Sequence, residues 1–259
     1  MDLKLTGKTA LITGASRGIG LAIARALSAE GVRVIGAART ISAELKEITP
    51  HTFAVDLSES AAAARLVEFA LAETGGIDVL VNNVGAPDTR TEGFLAIDDD
   101  GWAKVFDTNL FIAVRTTRAA LPGIIERRGS VINIGSTNGR LPLPVVIDYS
   151  AAKAALLSFG KSLAEEFGPA GVRVNTVSAG PVMTDAWTGD GGIADELAKQ
   201  AGLSRAELLS QVPTMLGLST GAPTTVDEIA TVVTLLASRR VDNINGSEFI
   251  IDGGLLKAV

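Results

Sequence analysis

A strand, a glycine-rich turn and a helix follow one another near the N-terminus, and they restrict the possible folds more than any other segment does. Residues 8–13 are typical of a short buried strand, and residues 14–20 carry glycines with the spacing G-x-x-x-G-x-G before an apolar helical pattern. Glycines in such a turn let the backbone approach a pyrophosphate, and the N-terminus of the following helix favours its negative charge. The segment therefore predicts the first unit of a dinucleotide-binding fold.

Strands and helices alternate along the 259-residue chain, a pattern typical of α/β proteins with a parallel sheet. Strands are predicted at residues 8–13, 32–37, 51–55, 77–82, 129–135, 171–178 and 246–251. Helices are predicted at residues 18–30, 58–73, 100–127, 149–167 and 225–237. The predicted fold class is α/β: a single-domain, Rossmann-type, doubly wound parallel sheet of about seven strands with helices on both faces, spanning residues 1–259.

One stretch, residues 185–222, does not fit the regular alternation. It contains a glycine-rich turn at 188–192 and a polar helical piece at 193–211. Because ligands of open α/β sheets bind beyond the carboxyl ends of the strands, we expect an insertion at this place to act as a lid over the substrate. An ordinary surface helix is the alternative.

The composition excludes several kinds of site. The chain has no cysteine, so neither a disulfide nor a thiolate is available, and its single histidine, His51, excludes a multi-histidine metal site; we expect no metal. The net charge of −6 argues against a nucleic-acid partner. No basic-then-apolar leader opens the chain and no uncharged apolar run reaches ~18 residues, so we expect no signal peptide, no membrane span and a cytoplasmic location.

Three residues further along predict an active site. Tyr149 and Lys153 are spaced i, i+4, and Ser136 precedes the tyrosine by thirteen residues. On a helix that spacing places the phenol and the ammonium on one face. A phenol has an ordinary pKa of ~10, and a fixed ammonium nearby lowers that pKa by roughly 1–3 units. With a serine hydroxyl to hold the oxygen of a carbonyl or an alcohol, the set predicts proton transfer for a C=O/CH–OH pair, whose hydride partner is the dinucleotide predicted above.

The second strand indicates which dinucleotide is preferred. An acidic residue usually ends this strand where the cofactor is NAD, whereas this chain has Ala38 followed by Arg39, and Arg17 inside the glycine turn. Two guanidiniums can converge on a 2′-phosphate, so we favour NADP(H), with NAD(H) possible if both arginines are only solvated. Asp56, after the third strand, could reach the adenine amino group or else cap the next helix.

Several further motifs occur in order along the chain. They are Thr13–Gly20, Asn82-Asn83-Val84-Gly85, the set Asn109, Ser136, Tyr149 and Lys153, Asn175–Thr184, Asn245-Gly246 and Asp252-Gly253-Gly254. On these motifs the chain resembles the short-chain dehydrogenase/reductase family, in its compact branch of about this length, and the likeness covers nearly the whole chain.

The resemblance implies roles for individual residues. Tyr149 would protonate the carbonyl oxygen, Lys153 would lower the tyrosine pKa and bind the nicotinamide ribose, and Ser136 would orient the substrate oxygen. Asn109 would hold a water that links Lys153 to solvent, or would be a buried asparagine bonded to backbone carbonyls. The cofactor-binding set implied in this way is Gly14, Ser16, Arg17, Gly18, Ile19, Gly20, Arg39, Asp56, Leu57, Asn83, Gly85, Tyr149, Lys153, Val182 and Thr184.

Two positions depart from the family pattern. Val84 replaces a usual alanine and adds bulk beside the cofactor, and Ser178-Ala179-Gly180-Pro181 lacks the usual proline before Gly180. Family members are commonly homotetramers that assemble through the helices carrying Asn109 and Tyr149 and through the last strand. The small face formed by Ala151, Ala154 and Ala155 would permit such packing, although packing within one subunit would explain it equally well.

The substrate is less defined by the sequence. Segments 86–92 and 138–148, together with Trp187, supply apolar side chains and a few polar ones, Asp88, Arg90 and Arg140 among them. This favours a small, largely apolar ketone or secondary alcohol reduced by NADPH. Two alternatives remain: a 3-oxoacyl thioester (acyl-carrier-protein) reductase, for which Arg127-Arg128 could meet an acidic partner but Pro169-Ala170 adds no cation, and a non-catalytic NADPH-binding regulator. An isomerase or dehydratase is disfavoured by the short C-terminal region, and an enoyl reductase by the Tyr–Lys spacing.

Overall fold

The computed structural model describes residues 1–184, 188–189 and 193–257, except for the side chains of residues 193, 196, 197 and 200. Seven strands form one sheet in the order β3-β2-β1-β4-β5-β6-β7, and every neighbouring pair is parallel. The strands are β1 (Thr9–Thr13), β2 (Arg33–Ala38), β3 (Thr52–Ala54), β4 (Val79–Asn82), β5 (Ser130–Ser136), β6 (Arg173–Ala179) and β7 (Glu248–Ile251). The predicted Rossmann-type parallel sheet is confirmed.

Helices cover both faces of the sheet. They are α1 (Gly18–Ala29), α2 (Ala43–Ile48), α3 (Ala62–Thr74), α4 (Asp99–Phe106), α5 (Ile112–Arg127), α6 (Ile147–Phe167), α7 (Ile193–Ala201), α8 (Arg205–Met215) and α9 (Val226–Ala237). Among the residues that the structure describes, no helix combines the length and the apolar character needed to cross a bilayer.

The two faces have separate hydrophobic cores because successive side chains of a strand point to opposite sides. In β1, Ile12 packs with α1 and α9 on one face, where Leu27 and Val233 are fully buried. Its neighbour Leu11 packs with α3 and α5 on the other face, where Leu66 is fully buried. Strands that are apolar on both sides in this way are typical of parallel sheets, and they hold the loops at the carboxyl ends in fixed positions.

Two elements differ from the sequence prediction. The short helix α2 was not predicted; it begins after Ser42, whose side chain accepts a hydrogen bond from the backbone of Leu45. The single helix expected at 100–127 is α4 and α5 joined by a π-helical turn, Asp107–Phe111. Helix α2 has only six residues, which is too short for a helical pattern of apolar residues to be recognised in the sequence. The π turn does not change the apolar pattern of the helices on either side of it.

The 185–222 stretch contains two helices instead of one polar piece. α7 and α8 pack on each other around their own small apolar cluster, formed by Ala194, Ala198, Leu208 and Val212. Ser204 begins α8 with a reciprocal capping box to Glu207. The predicted turn at 188–192 lies mostly outside the described residues, as does Trp187, and a lid function for this pair of helices stays a prediction.

Candidate active site

The crevice beside the carboxyl ends of β1 and β4 is the point at which the strand order of the sheet reverses. β1 leads into α1 on one face, whereas β4 leads towards α5 on the other. Ligands of doubly wound sheets bind in such a crevice, because the two connections diverge and leave an open space between them. The predicted cofactor residues of β1 and β4 lie on either side of it.

The glycine turn after β1 is shaped for a close approach. Gly14 and Gly18 have left-handed φ angles of 68° and 53°. A Cβ on Gly20 would lie 2.2 Å from the carbonyl oxygen of Gly14, so no larger residue fits. Arg17 precedes α1 without a side-chain cap and the first turn holds no acidic residue, so its N–H groups suit an anion such as a pyrophosphate. Ile19 faces the core.

Asn83, just after β4, braces this turn. Its Nδ2 donates to the carbonyl oxygens of Thr13 and Gly14, both at 3.0 Å, and its backbone N–H donates to Thr13 Oγ1 at 3.0 Å. Val84, which replaces the usual alanine, packs against the same turn. A Cβ on Gly14 would lie 3.3 Å from Val84 Cγ2. Asn83 therefore fixes the distance between the ends of β1 and β4.

The side chains proposed for the adenosine end lie at the ends of β1, β2 and β3. Arg17 and Arg39 are exposed, and within the described part of the chain neither guanidinium forms a hydrogen bond or an ion pair. The backbone N–H and the hydroxyl of Ser58 donate to Asp56 at 3.0 and 2.8 Å. These bonds lower the pKa of Asp56, and the charge of Arg39 contributes a smaller effect. Leu57 is buried in the core instead of facing solvent.

Ser16 connects the glycine turn with the segment after β2. Its Oγ accepts a hydrogen bond from the backbone of Ser42 at 3.2 Å, and the N–H of Ala15 donates to the carbonyl of Ala37 at 3.0 Å. Ser42 also caps α2. The unpredicted helix α2 thus helps to hold the loop that carries Arg39.

Ser136 and Tyr149 meet at the end of β5. Ser136 is the last residue of that strand and is buried, and its Oγ accepts from the backbone of Asn138 at 3.2 Å. Tyr149 lies in the first turn of α6 and is half-buried. Burial raises the pKa of the Tyr149 phenol, and a hydrogen bond from the Ser136 hydroxyl opposes that rise. The two side chains predicted from the sequence therefore lie close enough to interact.

Lys153 lies one helical turn further along α6 and is almost fully buried, with 3% of its surface exposed. Its Nζ donates to the carbonyl of Ile134 at 3.0 Å and lies 5.6 Å from the centroid of the Tyr149 ring. Burial lowers the pKa of Lys153 to about 8. The structure does not show the expected lowering of the tyrosine pKa by Lys153, because burial raises that pKa and Ser136 is the group that opposes the rise.

Asn109 sits in the π turn between α4 and α5 and faces the loop after β4. Its Oδ1 accepts from the N–H of Ala86 at 3.0 Å, and its Nδ2 donates to the carbonyls of Ala86 and Val105 at 2.9 and 3.0 Å. These are the backbone contacts of the alternative interpretation, and a water-holding role stays a prediction. A Cβ on Gly85 would lie 2.8 Å from Lys153 Nζ and 2.9 Å from Asn109 Oδ1, so Gly85 brings the two side chains together.

The segment after β6 reaches the glycine turn. Val182 pairs with Thr224, and the N–H of Thr184 donates to the Val182 carbonyl at 2.7 Å. The side chain of Thr184 lies 3.4 Å from the position of a Cβ on Gly18. Although Pro181 follows Gly180 instead of preceding it, the segment lies beside the glycine turn, and cofactor binding by Val182 and Thr184 stays a prediction.

An ion pair between half-buried Arg90 and fully buried Asp148 adjoins Tyr149, and the sequence did not reveal it. Arg90, in the loop after β4, donates from Nε and Nη2 to the carboxylate of Asp148 at 2.9 and 2.6 Å. Arg90 Nη1 also lies 3.2 Å from Asp88, whereas Arg140, the other predicted pocket cation, pairs with Glu248 of β7. No local signal could have identified the pair, because Arg90 and Asp148 lie 58 positions apart.

Apolar side chains surround this region. Leu141, Leu143 and Val145, between β5 and α6, are exposed, and Phe94 in the loop after β4 is exposed as well. A backbone hydrogen bond of 2.7 Å from Arg90 to Val145 joins the two segments. No group of three or more potential metal-ligating acids or histidines occurs among the described residues.

A family model described as short chain dehydrogenase matches residues 8–191. A 3-oxoacyl-acyl-carrier-protein reductase of Salmonella typhimurium is 36% identical over 98% of this chain and 99% of its own length. An uncharacterized oxidoreductase of Bacillus subtilis, YvrD, is 34% identical over the full length of both chains. The L-sorbose reductase of Gluconobacter frateurii, solved in complex with NADPH and L-sorbose, superposes with a TM-score of 0.92 at 32% identity, over the whole of both chains. The chain is therefore an oxidoreductase that belongs to the short-chain dehydrogenase family.

Proposed function

We propose that the protein is an NADPH-preferring carbonyl reductase that interconverts a ketone and a secondary alcohol on a small, largely apolar substrate. The observation that carries this proposal is that Ser136 lies close enough to Tyr149 to affect the phenol, with Lys153 one turn away. The site lies at the carboxyl end of the sheet, as does the glycine turn. These side chains can hold and protonate one oxygen atom beside a dinucleotide.

The roles follow from the contacts. Ser136, held by the backbone of Asn138, binds the substrate oxygen and keeps it beside the phenol. Tyr149, whose raised pKa keeps it protonated at neutral pH, gives its proton to that oxygen during reduction. Lys153 stabilises the phenolate that remains and offers its other donors to the nicotinamide ribose. When bound, the reduced nicotinamide supplies the hydride, so the chain itself needs to move only a proton.

The preference for NADPH rests on charge at the adenosine end. Arg17 and Arg39 are exposed and form no ion pair within the described residues, and guanidiniums bind phosphate through paired hydrogen bonds. The uncapped N-terminus of α1 fits the pyrophosphate. The L-sorbose reductase, similar over its full length, holds NADPH.

An apolar substrate is favoured by the exposed leucine and valine side chains at the start of α6. The guanidinium of Arg90 is occupied by two carboxylates, so it has no free pair of donors for an anionic substrate. The neighbour that binds L-sorbose shows that a polar ketose belongs in any substrate panel.

A 3-oxoacyl-carrier-protein reductase is the second candidate, since relatives bear that name. The structure gathers more cations near Arg128 than the sequence suggested, in one cleft lined also by Lys4, Lys8, Arg173 and Arg239. Within one chain, however, this cleft lies at the amino ends of the strands, separated from Ser136 by the length of β5, about 20 Å at ~3.3 Å per residue. The candidate therefore ranks below a free small-molecule reductase.

The test follows nicotinamide absorbance with NADPH and NADH in parallel, for the native protein and Tyr149→Phe. The panel contains apolar ketones, L-sorbose, and an acetoacetyl group on a small thiol and on a carrier protein. We expect kcat/KM to favour NADPH and an apolar ketone. Because Tyr149→Phe removes the proposed proton donor, we expect at least ~10²-fold lower kcat in the variant, which should still bind NADPH.

Each other outcome has a defined meaning. Preference for NADH would contradict the role of Arg17 and Arg39 while leaving the Tyr149 site in place. Turnover that requires the carrier protein would select the second candidate. Tight NADPH binding without turnover would exclude the proposed reductase and favour a binding protein that responds to NADPH. Full activity in Tyr149→Phe would exclude Tyr149 as the proton donor and, with it, the proposed mechanism.

A further inference from the structure

The carboxylate of Asp148 is fully buried, directly before Tyr149 in α6, and its two oxygens have different partners. Oδ2 accepts both bonds from Arg90, from Nε at 2.9 Å and from Nη2 at 2.6 Å. Oδ1 accepts from the backbone N–H of Tyr149 at 2.9 Å. The guanidinium of Arg90 is thus connected through one carboxylate to the backbone of the proposed proton donor.

The backbone of Arg90 makes a second connection to the same region. Its N–H donates to the carbonyl of Val145 at 2.7 Å, immediately before the helix that carries Tyr149. Val146 precedes α6 without a side-chain cap, so no capping residue fixes the first turn of the helix. Arg90 and Asp148 supply the constraint that a cap would give, because they tie the first turn of α6 to the loop after β4.

We propose that Arg90 and Asp148 are positioning residues, which fix the first turn of α6 so that the hydroxyl of Tyr149 stays on Ser136 and the loop after β4 stays beside it. The inference rests on the proposed role of Tyr149. A planar guanidinium that binds one carboxylate oxygen through two donors restricts direction as well as distance.

Stability alone does not explain why a charged pair occupies this place. Buried ion pairs are often no more stabilising than apolar residues of similar volume, because desolvation of both charges offsets their attraction. Loss of one partner is costly, since it leaves an uncompensated charge. The two effects predict different results for single and double substitutions, and this difference separates positioning from mere stabilisation.

Four variants test the proposal: Arg90→Met, Arg90→Lys, Asp148→Asn and the double variant Arg90→Met/Asp148→Asn. The double variant removes the uncompensated charge of Asp148, so its melting temperature is expected to recover towards the native value. Its kcat for ethyl acetoacetate with NADPH is expected to stay about 10-fold or more below native, because small displacements of a catalytic group cost up to ~10²-fold. Arg90→Lys keeps the positive charge but not the forked guanidinium, so its kcat is expected to lie between those of the native protein and the double variant. The Kd for NADPH is expected to stay native throughout.

A spectroscopic measurement makes the test independent of the substrate. Tyr149 is the one tyrosine of the chain, so the near-ultraviolet absorbance of phenolate reports its ionisation alone. In the native protein we expect ionisation above the ordinary tyrosine range, as burial dictates. In the folded double variant the phenol is no longer held in place, so its titration is expected to move towards that of an exposed tyrosine.

Two results would overturn the inference. One is a double variant that recovers kcat together with its melting temperature, and the other is a native phenol titration in every folded Arg90 variant; either would mean that the pair only stabilises the fold. Tyr149→Phe is assayed alongside. If that variant keeps its activity, the proposed function fails, whereas loss of activity in Tyr149→Phe with native kcat in the Arg90 variants refutes only the positioning role.

Discussion

At the scale of single residues, the chemistry of the site was predictable but its electrostatics were not. Ser136, Tyr149 and Lys153 were recognisable from residue type and spacing, because a helix brings i and i+4 to one face. Their pKa values depend on burial, which no short motif encodes. Lys153 is the clearest example, since its ammonium points into the protein towards the carbonyl of Ile134.

The lowered pKa of Lys153 predicts a specific dependence of stability on pH. Since its pKa is about 8 in the folded protein and about 10.5 in the unfolded chain, the unfolded chain binds more protons between these values, and this group makes the protein more stable as the pH rises. The gain approaches about 3 kcal/mol over the whole interval. Melting temperatures of the native protein and Lys153→Met should therefore diverge in favour of the native protein from pH 8 to 10.

Lys161→Met is the matched control, because Lys161 lies on the same helix and is exposed. The difference between this variant and the native protein should not grow in the same direction over that interval. A constant gap between the native protein and Lys153→Met would show that Lys153 is not desolvated in the folded state.

At the scale of elements, most helices and strands were predicted to within a few residues, and one of the exceptions lies at the site. The π turn at Asp107–Phe111 interrupts a helix that the apolar pattern makes continuous, and it turns Asn109 towards Ala86. Such turns are often found at functional sites. The apolar pattern reports only which residues face the core, so a local change of helix type that keeps the core face is invisible in the sequence.

The contact between β1, α1 and β4 predicts that Gly20→Ala damages cofactor binding. A Cβ at this position would lie 2.2 Å from the Gly14 carbonyl oxygen and 2.5 Å from Asn83 Nδ2, so the turn must open. Overpacking of this kind costs about 1–3 kcal/mol. We expect a lower melting temperature and at least ~10-fold weaker binding of NADPH, measured by nucleotide fluorescence.

Gly123→Ala in α5 is the control for this substitution. A Cβ there meets nothing within 4 Å, and alanine is a better helix former than glycine by roughly 1 kcal/mol. This variant should melt at the native temperature or above it and bind NADPH normally. Native binding in Gly20→Ala would mean that the turn does not approach the pyrophosphate.

At the scale of the whole molecule, alternation of strands and helices was sufficient to predict the sheet, because short right-handed crossovers leave few arrangements of parallel strands. Contacts between distant segments were not predictable. Arg90 lies in the loop after β4 and Asp148 in the first turn of α6, and the basic cleft around Arg128 and Arg173 collects side chains from both ends of the chain. Such sites exist only once the sheet has brought the loops together.

The exposed small face of α6 leads to a prediction about assembly. Ala154 is exposed while Ala151 and Ala155 are half-buried, so packing within the chain leaves part of this face uncovered. If α6 pairs with its copy, as the family resemblance implies, Ala154→Glu places an unpaired charge in the contact, at a cost of several kcal/mol. Light scattering after gel filtration should show an oligomer for the native protein and smaller species for the variant.

Ala64→Glu is the control for this substitution; it lies on the exposed side of α3 and should keep the native mass. A monomeric native protein, or an Ala154→Glu variant of native mass, would exclude assembly through this face.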